Sequence, residues 1–70
     1  IMKNTPYDFV TTVKFQVFYT VPGGGLFHTD FKDIEMASLS LKDHLKDWKK
    51  YQLTVMPYIK EVITLERILR

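Results

Sequence analysis

Residues 7–21 alternate between apolar and polar positions over a longer stretch than any other part of the chain. The odd positions are rich in aromatic and β-branched residues, and the even positions are mostly polar. Side chains of a β-strand point alternately to the two faces of a sheet, so this period of two predicts one long strand. Such a strand needs neighbouring strands and a covering layer to be stable.

A reversal of the chain follows this strand. Residues 22–25 read Pro-Gly-Gly-Gly. The proline ring fixes φ at the first position, and the glycines that follow tolerate a positive φ. Residues 26–31 then form a short candidate strand with Phe27 and Phe31 on one face, and His28 and Asp30 on the other. The pattern predicts a β-hairpin. It does not match a phosphate-binding P-loop, which requires a GxxxxGK[ST] motif before a helix.

The next segment has the periodicity of an amphipathic helix. Apolar residues recur at steps of three and four and so define one stripe, which we expect to face the core: Ile34, Ala37, Leu41, Leu45 and Trp48. Asp33 is a suitable N-cap. Pro57 disfavours helical geometry at Met56, so we expect the helix to end between Lys50 and Met56.

Residues 59–69 fit either one helical face or a strand. The β-branched cluster lowers helix propensity, and a lone hairpin beneath one helix would be marginal, so we favour a strand. The prediction is an α+β fold of order β-β-α-β: a three-stranded antiparallel sheet of strand order 2-1-3 with one helix packed on one face. We expect residues 7–70 to form a single domain after a tail of residues 1–6, and we interpret Ile1 as an addition before a native Met2.

Composition limits the class of protein. Seventy residues with 46% hydrophobic content suffice for one core, and the absence of cysteine excludes disulfides and thiolate metal ligands. The net charge of +2 is too small to mark a dedicated nucleic-acid binder. Without an apolar run of about 18 residues or a signal-peptide pattern, we expect a cytoplasmic protein that does not bind membranes.

No motif predicts catalysis or metal binding. His28, Asp30 and His44 are too scattered to define a zinc site, which needs three or four convergent ligands. Ser38 and Ser40 lie near the start of the helix, where hydroxyl groups usually cap backbone N–H groups. We therefore expect no enzymatic activity, no catalytic residue, no metal, no cofactor and no small-molecule substrate.

Apolar residues outside the predicted core indicate a binding surface. We expect two of them on the sheet face that the helix does not cover and two on the outer side of the helix, namely Val10, Phe18, Met36 and Leu39. The hypothesis is a small non-enzymatic protein–protein interaction module. Its partner would be a host protein or a second copy in a dimer, as for phage- or mobile-element-type inhibitors that bind and block a host protein.

A small nucleic-acid-binding protein is the alternative. One flank of the helix carries lysines that, together with one lysine of the first strand, could contact phosphates: Lys42, Lys46, Lys49 and Lys14. Asp43 and Asp47 occupy the other flank, a split that is more typical of a solvated face with local ion pairs.

Overall fold

The computed structural model describes residues 7–69, and residues 1–6 and 70, including the predicted N-terminal tail, lie outside the described residues. The elements follow one another as β1 (Tyr7–Thr20), β2 (Leu26–Phe31), α1 (Ile34–Tyr51) and β3 (Tyr58–Leu69). The three strands form one antiparallel sheet in the order β2-β1-β3. This arrangement confirms the predicted α+β fold, including the assignment of the C-terminal segment as a strand.

The turn between β1 and β2 has the hydrogen bond and the residues of a type II β-turn. The Gly24 backbone N–H donates to the Val21 carbonyl at 3.0 Å, with Pro22 and Gly23 as the central residues. Gly23 has a φ of 73°, in the left-handed region that favours glycine. The turn thus uses the fixed φ of proline and the conformational freedom of the residue that follows.

Both ends of α1 are capped by local hydrogen bonds. Asp33 is the N-cap, as predicted, and its Oδ1 accepts from the Glu35 backbone N–H at 3.0 Å. At the other end Gln52 takes a left-handed conformation, and its N–H donates to the Trp48 carbonyl. The last helical residue is Tyr51, which lies in the predicted interval, six residues before Pro57.

The core lies where α1 crosses the sheet and is small. Among the described hydrophobic residues, Val17 and Ala37 are fully buried. The Tyr19 and His44 rings stack with their centroids 3.8 Å apart, which places α1 on the sheet face of the odd-numbered β1 residues. His44 therefore joins the two layers.

The helical stripe is only partly buried. Leu41, Leu45 and Trp48 are half-buried, and Ile34 is exposed, so the prediction that the whole stripe faces a core was wrong at Ile34. Ile34 is the first residue of α1, so no preceding helical turn shields its side chain.

Strands β1 and β3 extend well past the other elements. β2 pairs only with residues 15–20 of β1, whereas residues 7–14 pair with residues 62–69 of β3. We call this two-stranded extension the arm. It accounts for principal extents of 62 × 23 × 13 Å and a radius of gyration of 18.0 Å, compared with about 11 Å for a compact chain of this length.

The turn gives a first prediction. Gly23→Ala should destabilise the fold by about 1–2 kcal/mol, because an L-residue at a φ of 73° is strained. Gly25→Ala is the matched control, since its φ is not positive and a Cβ at that position would meet open space. Chemical denaturation of both variants measures the difference, and equal stabilities would contradict the turn conformation.

Candidate protein-binding surfaces

A row of exposed apolar side chains lies on the arm, on the same sheet face as the helix but beyond its reach. We call it the arm face. Its large apolar side chains, each 42–63% exposed, come from alternate positions of two paired strands: Phe9, Val13, Ile63, Leu65 and Leu69. Glu61 and Arg67 flank Ile63 and Leu65 on the same face of β3. This surface is a continuation of the core that α1 leaves exposed.

The sheet face opposite the helix, the open face, is more polar along the arm. Val10 and Ile68 are its exposed large apolar residues there, and they alternate with residues such as Thr12, Thr64 and Glu66. Val10 and Phe18 lie on this face, as predicted. They are eight positions apart on one strand, about 26 Å, so they do not form a single patch.

Phe18 belongs to an aromatic cluster at the other end of the open face. Its ring stacks on Tyr58 of β3 with centroids 5.0 Å apart and an interplanar angle of 8°, and it lies 5.1 Å from the His28 ring of β2. The Lys60 ammonium group is 5.0 Å from the centre of the Phe18 ring. The cluster joins all three strands through one half-buried side chain.

Polar residues lie next to this cluster on the open face. Asp30 of β2 accepts from Lys14 Nζ and Gln16 Nε2, both at 3.2 Å, and its Oδ1 is 3.5 Å from His28 Nε2. The hydrogen bond from Lys14 lowers the pKa of the Asp30 carboxyl below its ordinary value of 3.8, with a further contribution from Gln16. The charged partners Lys14, His28 and Asp30 are 45–49% exposed, so the network orients side chains more than it stabilises the fold.

The outer side of α1 carries the other predicted site residues. Met36 and Leu39 are exposed neighbours at a three-residue spacing. Lys42, Lys46 and Lys49 are also exposed on the helix, whereas Lys14 projects from the open face on the other side of the sheet. The structure therefore does not bring Lys14 together with the helix lysines, nor Phe18 together with Met36 and Leu39.

Sequence reasoning missed the arm face. It placed the candidate binding residues Val10, Phe18, Met36 and Leu39 on the other sheet face and on the outer side of the helix. The signal that identifies the surface is a difference in length: 14 residues of strand span about 46 Å, whereas 18 residues of helix span about 27 Å. A helix of that length, lying anywhere along the strand, leaves part of the apolar face exposed.

Other kinds of site have less support among the described residues. A shallow hollow of about 300 Å³ at the end of α1 is lined by Trp48, Lys49, Gln52 and Leu53. Within residues 7–69, no three His, Asp or Glu side chains come together as a metal site would require, and no helix has the length and apolarity to cross a membrane.

Comparison with protein-family models, curated protein sequences and solved structures finds no match to this chain.

The Asp30 network gives a prediction on pH. Lys14→Met removes the main donor, so the Asp30 pKa should rise toward 3.8, which an NMR titration of the side-chain carboxyl would measure. Because the folded-state pKa is depressed, the network's contribution to stability is present above pH 3.8 and is lost as the pH falls through the folded-state value. Lys42→Met, on the far side of the sheet, is the control and should leave the Asp30 pKa unchanged.

The aromatic cluster gives a prediction on cross-strand coupling. A double-mutant cycle with Phe18→Leu and Tyr58→Leu should show a coupling of about 0.5–1.5 kcal/mol, the usual value for stacked aromatic pairs. Denaturation of the two single variants and the double variant measures it. Additive losses would mean that the two rings do not interact in solution.

Proposed function

We propose that this chain is a small non-enzymatic protein–protein interaction module that binds its partner through the arm face. The observation that supports the proposal is the row of large apolar side chains, each 42–63% exposed, on two paired strands. Scattered exposed apolar residues are common on monomeric proteins, but contiguous apolar patches usually mark interaction sites.

The form of the arm also supports this role. A two-stranded ribbon is only marginally stable in water unless a further strand or layer packs on it. Residues 7–14 and 62–69 form such a ribbon, with an apolar face that α1 does not cover. Binding of a partner would provide the missing layer, so folding of the arm and recognition would depend on the same contacts.

A phage-type inhibitor that binds and blocks a host protein is one form of this function, and a cytoplasmic location suits it. The nucleic-acid alternative has weaker support, because Lys14 and the helix lysines lie on opposite sides of the sheet and Lys14 already pairs with Asp30 at 3.2 Å. A phosphate track requires its cations along one continuous surface.

The test is affinity capture with a tagged chain, in cells that also express an untagged copy. The wild type should retain a protein that Leu65→Lys loses, because a charge in an apolar interface is not compensated. Thr64→Lys is the matched control: it adds the same charge at the adjacent position but on the open face, and it should retain the protein. Mass spectrometry identifies what is retained.

Nuclease treatment separates the two functions. Retention that survives nuclease supports protein binding. Nucleic acid that is bound at physiological salt, and released by Lys42→Glu together with Lys46→Glu, would favour the alternative instead. If neither a protein nor a nucleic acid is retained by the wild type, the proposed function is wrong.

A further inference from the structure

We propose that the occupant of the arm face is the arm face of a second copy of this chain, packed antiparallel on the first. This inference rests on the proposed function, which leaves the identity of the partner open.

The area of the arm face reaches the minimum for a specific interface between two copies if all its apolar side chains are buried. With about 150–200 Å² for each large side chain when fully exposed, the exposed parts of Phe9, Val13, Ile63, Leu65 and Leu69 amount to about 500 Å². Two copies would bury about 1,000 Å² in total from these residues, the lower limit for a specific interface. The chain's accessible surface of 5457 Å² also exceeds the roughly 4,600 Å² expected of a compact monomer of 8.3 kDa.

The helix restricts how the second copy can pack. A sheet packed face to face lies about 10 Å away, the same layer in which α1 packs over Val17 and Tyr19, whereas Glu61 is exposed. If the two copies ran in the same direction, each helix would occupy the place of the other copy's sheet. In the antiparallel arrangement the arms overlap and the helices lie at opposite ends, so each arm fills the layer beside the other copy's helix.

The sequence of β3 on the arm face is complementary to itself in this arrangement. A two-fold axis at Thr64, which pairs with Thr12 of β1, places Ile63 opposite Leu65 of the other copy. The same axis places Glu61 opposite Arg67 of the other copy, twice in each dimer. Arg67 also interacts within its own chain, and its five N–H donors suffice for both contacts.

Sedimentation of the purified protein tests the proposal. The wild type should have twice the 8.3 kDa mass of the chain. Leu65→Lys should raise the dissociation constant on the order of 100-fold or more, because the two-fold axis introduces two uncompensated charges. Thr64→Lys should remain dimeric. A wild type that is monomeric at every accessible concentration, or a Leu65→Lys variant that dimerises as tightly as the wild type, would overturn the proposal.

A charge exchange tests the register and does not depend on the folding of Leu65→Lys. Glu61→Arg should weaken the dimer because it places two arginines opposite each other, and Arg67→Glu should weaken it in the same way with two glutamates. The double variant restores opposite charges and should recover wild-type association. Circular dichroism and Trp48 fluorescence check that each variant is folded. Failure of the double variant to recover would reject the antiparallel register.

The outcomes distinguish this inference from the proposed function. A monomeric wild type that captures a different protein through the arm face contradicts self-association and leaves the proposed function intact. Retention of the untagged copy, lost in Leu65→Lys and kept in Thr64→Lys, supports both. A monomer that captures nothing contradicts both.

Discussion

The structure depends on a difference in length between the strands and the elements that cover them. β1 has 14 residues and β3 has 12, but β2 has only 6 and pairs with one end of β1. The helix packs at the same end, where Val17 and Ala37 are fully buried. Apolar alternation nevertheless continues to the far end of β1. The chain therefore has a small core that is closed at one end and open along the arm.

The two sheet faces consequently have different chemistry. On the open face, polar side chains and the aromatic cluster form contacts within the chain, such as the Lys14–Asp30 pair and the stack of Phe18 on Tyr58. On the arm face, most side chains are large and apolar, and they remain exposed. Exposure of the polar open face to water costs little free energy. Burial of the apolar arm face is favourable by about 25 cal/mol per Å². Burial against a partner is therefore more favourable for the arm face than for the open face.

Self-association of the arm would leave other surfaces accessible. Met36 and Leu39 are on the outer side of α1, and the aromatic cluster is on the open face, so neither is used by the proposed antiparallel packing. A dimer of this kind would present two copies of each surface, related by a two-fold axis. Such a dimer could still bind a further protein, because the contacts that complete the core are separate from those available for recognition.

Local patterns of the sequence determined the elements, their order and their ends. Period-two alternation defined β1, Pro22 and Gly23 defined the turn, and Asp33 and Pro57 limited the helix, because each acts through the backbone of its immediate neighbours. The prediction of Val10 and Phe18 on the open face follows from the same alternation. Only the tertiary structure decided which part of each apolar face is covered. Coverage depends on where a helix of about 27 Å lies along a strand of about 46 Å, and contacts between distant segments set that position. The stacking of His44 on Tyr19 and the exposure of Leu65 are both consequences of that placement.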